Sequence, residues 1–286
     1  MDNQPLVSVI MATYNKADYI ERAVKSVLAQ NYKNIELIIV DDGSTDGTKE
    51  LIQPFLSDQR IYYFQEENKG VSIARNNGVR ISKGKYIAIL DSDDFWCQID
   101  KLEKQVDFLE KNKDYALVGG GAIKIDKRGK EITRYLLFEK DEDIRKVILV
   151  DNAFAHVTTL FRKDIFERVG GYSEEFDGLE DRELWLKIGT ISKFYNFQEF
   201  FTSYLGHNYK DPTYFIKNYS GRERLKLNIR LRKRYSNNYP GYRKAVLLCW
   251  ASYFHSFIPF RKKLWPIIFK LRVFIFGSPP YEYFKI

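Results

Sequence analysis

From Val7 to Leu109, short apolar runs alternate with segments whose apolar residues recur at helical spacing. Val7-Ser8-Val9-Ile10-Met11-Ala12, Ile35 to Val40, Ile61 to Phe64 and Tyr86 to Leu90 read as strands. Ala17, Ile20, Val24, Val27 and Leu28 share one helical face. Asp46-Gly47-Thr48 leads into a second helix through Leu51, Ile52 and Phe55, Val71 to Ile81 forms a third that stops at Gly84, and Leu102, Val106 and Leu109 mark a fourth. Strands separated by helices imply an α/β fold, a mostly parallel sheet covered on both faces.

The polar ends of these strands carry the functional signal. The first runs out at Thr13-Tyr14-Asn15, the second at Asp41-Asp42-Gly43-Ser44 and the fourth at Asp91-Ser92-Asp93-Asp94. In a parallel sheet these ends share one edge, and ligands bind in the crevice beyond it. Three carboxylates at the exit of one strand repel one another, so a cation is expected there, such as a divalent metal carrying a diphosphate. A solvated acidic turn is the plain alternative. At Asp41-Asp42 the carboxylates can read a base and ribose while Gly43 permits a tight turn, or Ser44 or Thr45 can cap the next helix. Tyr14 can stack on a base or pack in the core. Arg75-Asn76 on the third helix can meet phosphate, or be an ordinary exposed pair.

Beyond Tyr115 the pattern changes. Tyr115 to Val118 and Ala122 to Ile125 read as two strands with a bend at Gly119-Gly120-Gly121. Asp141 to Val150 and Glu180 to Ile188 read as helices, and Val157 to Phe161 as a strand; residues 119–180 otherwise yield no decodable pattern. Glu180-Asp181 opens its helix. The macrodipole alone favours carboxylates there; the functional reading is a general base. His156 and His207, as isolated histidines, read first as packed or surface residues.

The last stretch is chemically different. From Lys217 onward 16 Lys and Arg face only Glu223 and Glu282, a balance of +14, while the remainder of the chain carries −6. Basic residues there flank Trp250, Phe254, Phe257 and Trp265 in apolar blocks too short to span a bilayer. That composition suits an anionic membrane surface, or packing on the core or on a second copy of the chain. No recognised nucleic-acid module appears, although a non-enzymatic basic nucleic-acid- or membrane-binding protein is the competing class. Two cysteines, Cys97 and Cys249, without metal spacing suit a reducing compartment. No signal peptide is visible, and the expected location is cytoplasmic, peripheral on the inner membrane. The division expected is residues 1–211 as catalytic domain, with a nucleotide half to 114 and an acceptor half from 115, and residues 212–286 as a helical basic region.

Taken together, Val7 to Asn15, Ile38 to Asp46, Ala74-Arg75-Asn76-Asn77-Gly78, Leu90 to Asp94, and Val169-Gly170-Gly171-Tyr172 followed by Glu180-Asp181 resemble the family-2 inverting glycosyltransferases of the GT-A fold, over about residues 5–210. The resemblance implies a nucleotide-sugar donor, usually a UDP-sugar, a glycan or lipid-linked acceptor, and Mn²⁺ or Mg²⁺. It implies that Tyr14 and Asp42 contact the base, that Arg75 lies near base or phosphate and that Asp91 faces the ribose, with Thr13, Asn15, Asp41 and Ser92 in the same nucleotide-sugar-binding set. Asp93 and Asp94, with His207, would hold the metal. Asp181 would be the catalytic base and Glu180 would orient the acceptor. In relatives with Tyr-Arg-x-His the histidine approaches metal or phosphates. Here Tyr204-Leu205-Gly206-His207 lacks the arginine. The Gln-x-x-Arg-Trp motif and flanking spans of processive members are absent, which implies transfer of one or a few sugars.

Overall fold

The computed structural model describes residues 4–206, 219–257 and 281–284. The first half follows the expected alternation: β1 (Val7–Thr13), α1 (Ile20–Leu28), β2 (Ile35–Asp41), α2 (Thr48–Ile52), β3 (Ile61–Gln65), α3 (Val71–Ile81) and β4 (Tyr86–Ile89). α2 passes into a 3₁₀ turn over Gln53–Ser57, where Pro54 has no N–H to continue the α-helical ladder. The four strands lie side by side in the order β4, β1, β2, β3, all parallel.

The second half consists of β5 (Phe95–Trp96), α4 (Lys101–Lys111), β6 (Tyr115–Ile125), β7 (Glu131–Leu137), α5 (Asp141–Val147), β8 (Leu160–Arg162), α6 (Lys163–Arg168), α7 (Glu180–Ile188), β9 (Lys193–Leu205), α8 (Gly221–Arg234), α9 (Tyr242–His255) and β10 (Tyr281–Phe284). Here pairing turns antiparallel: β8 joins β4 to β6, and β7 and β10 extend the sheet. β9 runs parallel to β6 and also holds β5. The sheet is therefore mixed, with its parallel part confined mainly to the first four strands.

Three local expectations are corrected. Residues 115–125 form one strand, and the three glycines shift its register against β9 without breaking it. His156–Thr158 is a 3₁₀ turn, so the strand there is only Leu160–Arg162. α5 ends at Val147, short of Val150.

Period-two alternation divides the core. Val9 and Met11 face α1 and α4 residues such as Val24, Val27, Leu102 and Val106. Ile10 and Ala12 face the other way, into a cluster with Ala74, Phe166, Leu184 and Trp185. Leu227, Leu231, Tyr235, Tyr239 and Ala245 join that second cluster. Tyr235 Oη donates to Glu183 Oε1 at 2.7 Å and Tyr239 Oη donates to the Leu186 carbonyl at 2.8 Å. α8 and the start of α9 are thus packed onto α7. Among the described residues, no helix is long and apolar enough to cross a membrane.

Candidate active site

The ends of β1, β2 and β4 meet at one edge, tied by hydrogen bonds between neighbouring loops. Asn15 adopts a left-handed conformation, with φ 51°. Its N–H donates to Ser44 Oγ at 2.9 Å and its Oδ1 accepts from Thr45 N at 2.8 Å, locking the β1 loop to the β2 loop. Ser44 is therefore taken up by Asn15, and Asp46 Oδ1 accepts from Thr48 N at the start of α2. Gly43, at φ +85°, makes the tight turn, where an added Cβ would meet the Asn68 nitrogen at 3.2 Å.

Asp41 and Asp42 are fully buried. Asp41 accepts from Ser44 N at 2.7 Å and from Tyr63 Oη at 2.6 Å. Asp42 accepts from Lys69 N at 2.7 Å and Gly70 N at 2.9 Å. Burial pushes the Asp42 carboxyl above its ordinary range, and the two N–H groups work against that shift. Both aspartates therefore shape the loops around the crevice. Thr13 is buried with Oγ1 lacking a partner among the described residues, and Tyr14 is half-buried beside it.

Arg75 is 5% exposed, which overturns its reading as an ordinary exposed helical arginine. Its Nη2 donates to Asp91 Oδ1 at 2.7 Å and its Nη1 to Glu180 Oε1 at 2.9 Å. The guanidinium also lies 5.7 Å from the Tyr172 ring centre. Burial opposes its charge, but Asp91 and Glu180 outweigh burial and push it above its ordinary value. Burial likewise raises Glu180, partly offset by Arg75. Next door, Asn76 exchanges two hydrogen bonds with Tyr172, accepting at 2.9 Å and donating at 2.8 Å. α3 thus joins the strand edge to the Gly171-Tyr172 loop and the N-terminus of α7.

In the acidic cluster, Ser92, Asp93 and Asp94 are buried and Asp91 is half-buried. Lys16 Nζ lies 2.8 Å from Asp93 Oδ2, so part of the cation the cluster demands is supplied by the chain. Asp94 Oδ1 accepts from Leu205 N at 3.0 Å, fixing the end of β9. Burial, with the charges of Asp93 and Asp91, raises the Asp94 carboxyl well above the carboxylate range. His207 lies outside the described residues. Among the described residues, no group of three or more His, Cys, Asp or Glu side chains is arranged for a metal. Mg²⁺ and Mn²⁺ are commonly held by one or two carboxylates while substrate phosphates complete the shell. Asp93 and Asp94 are oxygen donors of the type such a metal takes, with Lys16 on Asp93 Oδ2 and the Leu205 N–H on Asp94 Oδ1.

Asp181 follows Glu180 in the first turn of α7. Its Oδ2 accepts from Asn152 Nδ2 at 2.8 Å and its Oδ1 from Arg182 N at 2.6 Å. His156 Nε2 is 2.8 Å from Tyr172 Oη, and its ring lies against Trp185. Burial, then the Arg75 charge, lowers the imidazole to about 4, so it is neutral at physiological pH. Sequence reasoning missed Lys16, Asn152 and the Arg75 bridge. Lys16 was the one open to inspection, since a buried acidic cluster calls for a cation and a lysine follows Asn15.

The chain belongs to glycosyl transferase family 2, whose model matches residues 8–170. It is 48% identical over 119 residues to the putative teichuronic acid biosynthesis glycosyltransferase TuaG of Bacillus subtilis, covering 41% of this chain and 47% of TuaG. The chain spans about a third to a half of the length of several curated relatives. Among solved structures, S. aureus TarS 1-349 in complex with UDP-GlcNAc superposes with a TM-score of 0.68 at 18% identity, covering 96% of this chain and 81% of TarS 1-349. The mannosyltransferase PcManGT of Pyrobaculum calidifontis, in complex with GDP-Man and Mn²⁺, gives 0.60 at 20% identity, with 98% and 78% covered. At such identities the likeness is one of fold, and the fold is GT-A.

Proposed function

We propose that the chain is a metal-dependent inverting glycosyltransferase. It moves a hexosyl group from a nucleotide sugar, a UDP-sugar by preference, to a hydroxyl of a glycan or lipid-linked acceptor in bacterial surface polysaccharide synthesis. Family membership supports the reaction class, and the likeness to TuaG supports the setting. The observation that carries the reading is the Arg75 bridge, which brings Asp91 at the strand edge and Glu180 at the start of α7 to one guanidinium. A donor held at the strand edge then lies beside the carboxylates of α7.

In this reading Thr13, Tyr14, Asn15, Asp41 and Asp42 form the wall around the base, and Asp91 and Ser92 face the ribose. Asp93 and Asp94 would hold the metal, which when bound would supply Lewis-acid charge for the diphosphate. Lys16 lies beside Asp93 and adds a positive charge for the same phosphates. Asp181 takes the proton from the acceptor hydroxyl as its oxygen attacks the anomeric carbon. The bond from that carbon to the diphosphate breaks on the opposite face, so an α-linked donor yields a β-linked product. Glu180, held by Arg75, orients the acceptor.

The C-terminal region is read as a peripheral contact with an anionic membrane, on the cytoplasmic face where lipid-linked acceptors would be met. α9 leaves Leu247, Trp250 and Phe254 exposed along one stripe, which Phe257 continues just past its end, with Arg243 at its head; aromatic and basic groups together suit the lipid interface. The test of the reaction is the stereochemistry and base dependence of transfer. Proton NMR of the first product from an α-linked donor should show a β anomer, and D181N should lose at least about 10²-fold in kcat. An α-linked product, or a fully active D181N, would overturn the mechanism.

A further inference from the structure

We infer that Asn152 is a positioning residue for the Asp181 carboxylate, and that the turn carrying it is braced by α8. The inference rests on the reading of Asp181 as the base. A base must present one lone pair to the acceptor proton within hydrogen-bond reach, and a carboxylate on a helix start is otherwise free to rotate about χ1 and χ2. Here both oxygens are fixed. Arg182 N holds Oδ1 at 2.6 Å from within α7, and Asn152 Nδ2 holds Oδ2 at 2.8 Å from a turn 29 residues earlier.

The Arg182 contact is local, made between neighbours within the first turn of α7. The Asn152 contact is the one that sets where the carboxylate plane points relative to the rest of the site. Asn152 is itself oriented: its Oδ1 accepts from Phe154 N at 3.3 Å and its N–H donates to Asp151 Oδ1 at 2.9 Å. The preceding Val150 carbonyl accepts from Nη2 of Arg232 on α8 at 3.3 Å, and Arg232 is 4% exposed. Its other terminal nitrogen is anchored on Asn228 Oδ1 at 2.8 Å. The base is thus tied through one turn to the first C-terminal helix.

Other charged groups lie around the base. Glu180 and Arg182 stand on its own helix, Asp151 and His156 on the preceding segment, Arg75 on α3 and Asp91 beyond β4. Among the groups around the base, Asn152 is a neutral amide that donates directly to its carboxylate, at 2.8 Å. A neutral amide donor favours the ionised carboxylate without adding a charge that would compete for the acceptor.

The test uses the full chain and three variants, N152A, N152D and D181N. N152A should lower kcat about 10-fold or more with the donor KM changed less than about 2-fold, because geometry at the base is lost and donor binding is not. N152D keeps the shape but sets a carboxylate against a carboxylate, and should lower kcat at least as far with the donor KM again little changed. Folded N152 variants that keep the wild-type kcat, or lose efficiency only through a raised donor KM, would overturn the positioning role. An active D181N would instead overturn the reading of the base.

Discussion

Arg75 is the residue on which the two sides of the site depend. Removing it leaves Asp91 and Glu180 without their shared cation in a largely buried place. R75A should cost about 3 kcal/mol in urea denaturation, the low end for a broken buried pair because Asp91 is a third exposed. R75K should recover part of the stability but little activity, because an ammonium cannot span two carboxylates as a planar fork does. An R75A protein as stable as wild type would mean that the bridge does not hold the site together. His156 gives a second residue-level prediction. Its imidazole is held down to about 4 against an ordinary 6.5. Between those values the unfolded chain binds more protons than the folded one, so stability falls as pH drops through that window. The stability advantage of wild type over H156Q should therefore shrink by up to about 3 kcal/mol between pH 7 and pH 4. A pH-independent difference would show that the histidine protonates freely in the folded protein.

At the scale of elements, β6 is where sequence and structure part most instructively. Three consecutive glycines suggest a break, yet each lies where neighbouring side chains, among them Phe201 and Leu136 on the adjoining strands, come too close for a side chain. A Cβ on Gly120 would meet Phe201 at 2.5 Å, and one on Gly121 would meet Leu136 at the same distance. G120A should accordingly destabilise the fold by about 1–3 kcal/mol in chemical denaturation, whereas a bend glycine in open space would accept alanine with little change. The parallel strands β1, β2 and β4 were legible because each is buried on both faces and reads as a continuous apolar run. β7 was not, because Glu131–Leu137 is mostly half-buried and mixes charge with apolar residues. β9 was not, because its partners are set by tertiary pairing with β6 and β5 and not by local pattern. The candidate site follows the same division. The strand-end acids announce themselves by following apolar runs. Asn152 carries no local signal, and it acquires a role only when the chain returns 29 residues later at Asp181.

Across the whole molecule, charge and apolar surface are segregated. The body is slightly acidic, while the stretch from Lys217 carries a balance of +14. Phe254 and Phe257, both more than half exposed, extend the stripe on α9. If this face meets an anionic bilayer, the protein should float with vesicles containing anionic lipid and release as salt rises toward about 1 M, where the screening length is ~3 Å. A W250S/F254S double variant should lose flotation while keeping its transfer rate on a water-soluble acceptor. Equal flotation of variant and wild type would place the contact elsewhere. The donor site at the strand edge is open to calorimetric binding of UDP-, GDP- and dTDP-sugars with Mn²⁺ and with EDTA, for wild type and for D93A. One nucleotide-sugar class should bind only with the metal, and its binding should be lost in D93A; if none of them binds in a metal-dependent way, the strand edge is not a metal-dependent donor site.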